Sequence, residues 1–349
     1  MGAEVVQWMP AKPSSSGWCG LPVVAAVVFA GACSAPEGGS RFEFQEPHLG
    51  TAVRIVLYAG DPAAARAAST AAFAVVARVD SLLSDYRDDS EIAALASEAG
   101  SGTLRTPSPE LAQVLDSARV WARRTGGAFD VTVGPVTRLW RWAMRREELP
   151  DSARLNTARA LVGSDGIVVD SASGGLGLAR AGMSLDFGGI AKGLAAAAAL
   201  DTLRGRGIDV ALVDAGGDLA LGRAPPGTDG WRVEFPGGEV HALAGVAVAT
   251  SGDRYQYLEV DGVRYSHIVD PRTGLGVPDA PTVAVVAPGA ITADVLASAL
   301  SLLSPDAGRR LVDELGDVAV RWSPREPEGA AGWETSGFPW LPALGGGGG

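Results

Sequence analysis

Cysteine is almost missing from this 349-residue chain, and the two it has, Cys19 and Cys33, both lie in the first tenth. The body that follows therefore has no disulfide framework, no thiolate nucleophile and no iron–sulfur ligand set. A body without thiols suits an oxidising compartment. Histidine is equally scarce, at His48, His241 and His267, and aromatic residues make up only 6%. Positive charge is in the minority: 29 Lys and Arg stand against 40 Asp and Glu, for a formal net charge of −11. That balance excludes a general binder of phosphate backbones, which needs a basic face to release counterions. Nucleic acid is not an expected partner. No apolar run reaches the ~20 residues that span a bilayer.

The N-terminal segment is informative despite that. Lys12 precedes a short apolar stretch over residues 21–32, which closes on Ala30-Gly31-Ala32-Cys33. Its length fits the hydrophobic region of a secretory signal. The small residues ending in Cys, followed by Ser34-Ala35-Pro36-Glu37-Gly38-Gly39, resemble a bacterial lipobox and tether, although Ala30 stands where Leu is commonest. A plain signal peptide with an incidental cysteine is the alternative. The expected organisation is a signal and lipobox over 1–33, a tether over 34–45, one domain over 46–322 and a Pro/Gly-rich, loosely ordered tail over 323–349. The expected location is extracytoplasmic, on the periplasmic side of a bacterial membrane, with a lipid anchor on Cys33.

Within the domain, alternation over 50–58 predicts a strand, and Pro62 opens an alanine-rich helix to about residue 83. Pro109 is well placed as the first residue of a second helix, which Gly126-Gly127 stops. A short helix is expected over 152–162. From residue 166, strands bounded by Gly, Pro or Asp become frequent (167–170, 183–186, 209–214, 219–221, 246–249, 255–260 and 283–287), with helices over 190–204 and 293–303. This mixture is neither alternating βαβ nor all-β, so the expected class is α+β.

Four loci could carry chemistry. In Asp186-Phe187-Gly188-Gly189-Ile190-Ala191-Lys192, a glycine turn feeds a helix start with a lysine one turn in, a form suited to phosphate or pyrophosphate. A tight structural turn explains it locally as well. The Asp-Phe-Gly triplet is not a kinase signature, because the other kinase motifs are missing. Asp214-Ala215-Gly216-Gly217-Asp218 would let a ligand approach the backbone, or would simply close a hairpin. His267 falls in Tyr265-Ser266-His267-Ile268-Val269-Asp270-Pro271-Arg272-Thr273-Gly274, where Asp270 and Arg272 could set its tautomer. A Ser–His–Asp hydrolase is compatible in composition but lacks a Gly-x-Ser-x-Gly elbow. In Thr292-Ala293-Asp294-Val295-Leu296-Ala297-Ser298, Thr292 reads as an N-cap. Asp294 and Ser298 share a helical face, a pair of hard oxygens suited to magnesium. A capped helix with Asp in its first turn is the plain reading.

Taken in order, with Leu49-Gly50-Thr51, Ser84-Asp85-Tyr86-Arg87 and Gly127-Ala128-Phe129-Asp130-Val131-Thr132 ahead of them, these segments resemble the ApbE family of FAD:protein FMN transferases over roughly residues 45–315. The resemblance implies an α+β fold with mainly antiparallel sheets, flanking helices and a cleft for FAD. It implies His267 as the catalytic residue. It implies FAD contacts from Tyr86, Ala128, Phe129, Asp130, Asp186, Lys192 and Ile268. Magnesium would be held by Asp294, Ser298 and the carbonyl of Gly189. The acceptor implied is a protein hydroxyl, Thr or Ser, on a membrane redox subunit or extracytoplasmic flavoprotein. The same site with water as acceptor would be an FAD pyrophosphatase, and without turnover a flavin-binding lipoprotein. Leu49, Phe187 and Ser298 depart from the family's usual Met, Leu and Thr; Ser298 keeps the ligand oxygen.

Overall fold

The computed structural model describes residues 39–252, 257–325 and 331–341. The chain opens with a hairpin of β1 (Ser40–His48) and β2 (Thr51–Ala59), followed by α1 (Pro62–Leu83), α2 (Glu91–Ser97) and α3 (Pro109–Arg124). Next come α4 (Gly134–Arg146), α5 (Ser152–Arg159), the short pair β3 (Ile167–Val169) and β4 (Leu176–Leu178), and α6 (Ala191–Arg204). Strands β5 (Ala211–Ala215), β6 (Asp218–Leu221), β7 (Trp231–Glu234), β8 (Val240–Leu243) and β9 (Ala247–Ser251) follow. Then come β10 (Tyr257–Val260), β11 (Val263–Val269), β12 (Gly276–Pro278) and β13 (Thr282–Ala287). Helices α7 (Ala290–Leu300) and α8 (Pro305–Leu315) precede β14 (Ala319–Ser323) and β15 (Trp333–Glu334).

Eight strands form one antiparallel sheet in the order β1-β2-β5-β6-β9-β13-β14-β15. Its two faces follow from the period of two along each strand. Val53, Ile55 and Leu57 of β2, Val213 of β5, and Val283 and Val285 of β13 point to one side. There they pack on the apolar stripes of α1, α6 and α7, represented by Ala72, Val76, Ala195, Ala199, Leu296 and Leu300. Val56, Leu212, Ala284 and Val286 point to the other side, where the β7–β8 hairpin covers them with Trp231, Val233 and Leu243. A third cluster joins Val136 and Trp140 of α4, Leu155 of α5, and Leu258 and Val269 of the small sheet β10-β11-β12. The class is α+β, as expected.

Several boundaries differ from the sequence-based expectation. Strand β1 begins at Ser40, inside the segment read as tether, because its whole length pairs with β2. The segment read as a loose tail supplies β15, and Phe338 is buried against Phe235. Residues 183–186 form no strand. The amide of Asp186 donates instead to the carbonyl of Val131 at 2.7 Å, and the segment runs as a buried connector beneath α4. Leu49 has φ 53° and Gly50 φ 70° in the two-residue β1–β2 turn, a turn that asks for positive φ at both positions. Leu49 accepts that backbone cost while its side chain packs against the main core.

Candidate functional site

The start of α6, the turn between β5 and β6, and the first turns of α7 meet at one place. Gly193 makes this possible: a β-carbon there would stand 2.4 Å from the Ala290 carbonyl oxygen and 2.8 Å from Asp294 Cβ. Only hydrogen fits between the two helices, and their closeness lets the Gly193 amide donate to Asp294 Oδ2 at 2.9 Å. One helical turn further, Ser298 Oγ would lie 3.1 Å from a β-carbon on Gly189, and the Phe129 ring 3.3 Å from it. Gly189, Asp294 and Ser298, the three residues expected to hold magnesium, are therefore neighbours in space.

The β5–β6 turn is a two-residue hairpin in which Gly216 and Gly217 have φ 67° and 98°. The structural reading of that motif thus holds for Asp214, whose Oδ1 accepts from Gly217 N at 2.8 Å. It does not hold for Asp218, which the turn delivers, almost fully buried, to the Lys192 ammonium. Lys192 and Lys12 are the only lysines in the chain, and that rarity is a signal in the sequence that could have singled this one out.

Electrostatics here are dominated by burial. Desolvation raises the Asp218 carboxyl to about 7, with the charge of Asp294 adding to the shift and Lys192 opposing it. Burial also raises Asp294, against the pull of Lys192 and the Gly193 amide. Burial disfavours the Lys192 charge, but Asp218 and Asp294 more than restore it and hold its pKa above the ordinary value. When both are ionised, two buried carboxylates around one ammonium leave an excess of negative charge. The donors are hard oxygens, and a hard divalent cation is the group that would neutralise them, so the residues fit magnesium. Among the described residues no cluster of three or more His, Cys, Asp or Glu could hold a metal. A cation would have to complete its shell with hydroxyl and carbonyl oxygens, water and phosphates of a ligand.

The helix start itself is a narrower anion cradle than its sequence suggests. The amide of Gly188 donates to Asp186 Oδ1 at 2.8 Å, and those of Ile190 and Ala191 to the Phe187 carbonyl. With Gly193 bound to Asp294, four amides of this turn are taken by protein oxygens. Thr292 does not cap α7, which starts two residues earlier behind Gly289.

The other expected residues fall into two groups. Asp186 forms a wall with Thr137 and Arg141 of α4, each donating to its Oδ2 at 2.7 Å. Arg141 also donates to Asp85, and its guanidinium lies over the ring of Tyr86. Ala128 and Phe129 are buried, with the Phe129 amide donating to Thr125 Oγ1 at 3.0 Å. The carboxylate of Asp130, one of the expected FAD contacts, is engaged by protein donors. It accepts from Thr132 N, Thr132 Oγ1 and Ser164 N, capping the short turn before α4.

His267 and Ile268 sit on β11. From Tyr265 to Val269 this strand takes four steps while its partner takes two, from Pro278 to Gly276. The resulting bulge sends Ser266 inward, where its Oγ accepts from Ile268 N at 3.0 Å, and leaves His267 exposed. Bulges re-aim side chains in this way beside active sites. Beside it, both oxygens of Asp270 accept from Arg272, through its amide, Nε and Nη2 at 2.8–2.9 Å. Arg272 in turn donates to the Leu302 carbonyl at 2.6 Å, tying the turn after β11 to the end of α7. Sequence reasoning missed Arg141, and had Asp218 only as part of the Asp214–Asp218 turn, because neither gains its partner until distant segments meet.

These features define an α+β protein with a buried acidic, lysine-bearing centre at a helix start, whose hard oxygens and ammonium suit a hard cation and a phosphate-bearing ligand. The chain belongs to the ApbE family, whose model matches residues 49–322. It is 33% identical over 312 residues to an FAD:protein FMN transferase of Treponema pallidum (strain Nichols), covering 82% of this chain and 86% of that one. To the FAD:protein FMN transferase of Vibrio cholerae it is 28% identical over 331 residues, covering 91% and 97%. The apo crystal structure of the Pseudomonas stutzeri flavinyl transferase ApbE superposes with a TM-score of 0.75 at 30% identity, covering 86% of this chain and 96% of that one.

Proposed function

We propose that this chain transfers the FMN moiety of FAD to a Thr or Ser hydroxyl of another protein and releases AMP. The observation that carries the reading is the meeting of Lys192, Asp218, Asp294, Ser298 and Gly189 at one helix start, within a family match that spans most of the chain. FAD binds with its pyrophosphate toward Lys192 and the α6 start, where the ammonium stabilises developing negative charge. Asp294, Ser298 and the Gly189 carbonyl would hold magnesium, which when bound neutralises pyrophosphate charge. His267 takes the proton from the acceptor hydroxyl, whose oxygen attacks the FMN phosphorus. The bond from that phosphorus to the bridging oxygen breaks, and AMP leaves.

The test is to incubate the protein with FAD, magnesium and candidate acceptor domains, measuring AMP by chromatography and the adduct by intact mass. One FMN bound per AMP released, with slow AMP release when acceptor is omitted, is expected. Fast AMP release with no adduct on any acceptor would replace the transferase by an FAD pyrophosphatase.

The acceptor class proposed is a membrane redox subunit or an extracytoplasmic flavoprotein. Cys33 lies outside the described residues, and we propose it as the lipid-anchored residue. No helix among the described residues is long and apolar enough to cross a membrane. Cys33→Ser should move the protein from the membrane fraction to the soluble one; unchanged fractionation would remove the anchor.

A further inference from the structure

Arg141 belongs to none of the sequence motifs, yet it joins two walls of the site. It lies four residues after Thr137 on α4, so the two side chains share one helical face. Both reach Asp186 Oδ2, at 2.7 Å each. The other arm of the guanidinium donates to Asp85, in the turn that follows α1. The Tyr86 ring lies over the same cation, its centroid 4.5 Å from Cζ, while Tyr86 is 78% exposed. One face of the ring therefore rests on a fixed charge and the rest of it meets solvent.

A tyrosine this exposed has few packing contacts to hold its rotamer. Here the guanidinium supplies both restraints: the cation under the ring, and the fork that fixes the neighbouring carboxylate. Without it, Asp85 and Asp186 would face each other with no positive charge between them. Burial and the charge of Asp186 already raise the Asp85 carboxyl against the pull of Arg141. The fold does not depend on this side chain, because α4 packs through Val136, Trp140 and Ala143.

We propose that Arg141 is a positioning residue for FAD: by clamping Asp85 to Asp186 it holds the Tyr86 ring as a stacking platform for a flat ring of FAD. This rests on the FAD reading above. A lysine cannot replace it, since a point charge lacks the planar fork that reaches two carboxylates.

The experiment titrates full-length protein into FAD, follows quenching of flavin fluorescence, and measures transfer kinetics alongside. Arg141→Met should raise the FAD dissociation constant and KM about tenfold and leave kcat at saturating FAD within about twofold. Arg141→Lys should recover only part of the loss. In a Tyr86→Ala background, Arg141→Met should add nothing, because the arginine acts through the ring. Competition by FMN and by AMP assigns the ring: weakened FMN binding in the variants places isoalloxazine on Tyr86, weakened AMP binding places adenine there. Unchanged FAD affinity in Arg141→Met, or losses that add to those of Tyr86→Ala, would overturn the proposal. If Arg141→Met does not fold, Arg141→Lys in the two backgrounds supplies the same comparison. A wild-type protein that binds no FAD at all overturns the FAD reading itself, a result distinct from wild-type binding that Arg141→Met leaves intact.

Discussion

His267 shows what one residue can and cannot announce. In the sequence it is one of three histidines, crowded by Ser266, Asp270 and Arg272. In the structure it is the side chain that a bulge in β11 turns outward, while Asp270 is bound by Arg272 and Ser266 is buried. As the proposed general base it would act in the chemical step and not in ground-state binding. His267→Ala should therefore lower transfer by at least about a hundredfold and leave FAD affinity within about twofold. Single-turnover AMP release and a flavin-quench titration measure the two separately, and near-normal transfer would take His267 out of the mechanism. The motif was enough to propose that role. The commitment of Asp270 to Arg272 was not legible there, because two neighbours in sequence do not reveal which of them a carboxylate will choose.

At the scale of elements, the site depends on how closely α6 and α7 approach. Gly193 lies inside α6, where alanine would ordinarily improve helix propensity by ~0.5–1 kcal/mol. Here a β-carbon would meet the Ala290 carbonyl at 2.4 Å, and backbone cannot rotate out of the way. Overpacking of that kind costs ~1–3 kcal/mol, so the clash outweighs the propensity. Gly193→Ala should lower the urea midpoint and weaken the magnesium dependence of transfer, since Asp294 would be displaced with α7. A midpoint that stays or rises would show that the helices can separate freely. The Asp294–Ser298 spacing on α7 was readable from helix period alone. The partner face on α6 was not, because 101 residues separate Gly193 from Asp294.

For the molecule as a whole, the buried acid pair sets how stability depends on pH. The Asp218 carboxyl, raised by burial to about 7, holds its proton in the folded chain over a range where an unfolded aspartate, near ~3.9, has lost it. The folded state then binds more protons than the unfolded one, so the metal-free protein loses stability as pH rises from about 4 to 7. Asp294 is shifted in the same direction. Lys192 is raised too, so its stabilising contribution is also lost as pH rises, but only above the ordinary lysine range. Magnesium would offset the repulsion, so its increment to Tm should be larger at pH 8 than at pH 5 and should vanish in Asp294→Asn. Equal increments at both pH values would place the cation elsewhere.

The sequence by itself determined the α+β class, helices α1, α3, α6 and α7, strands β2, β5, β6, β9 and β13 of the large sheet and the order of the site motifs, because periodicity, glycine turns and proline starts act over short stretches of chain. It did not reveal that residues 40–48 and 333–334 complete the sheet, since an edge strand is recognised by the partner it finds and not by its own pattern. Tertiary structure alone decided that Lys192 meets Asp218, that Asp130 serves a backbone turn, and that Arg141 joins Asp85, Asp186 and Tyr86. Lys192 with Asp218, and Arg141 with Asp85 and Asp186, are contacts between segments that only the packed core brings within a few ångströms. A charge has no partner until the chain has folded around it.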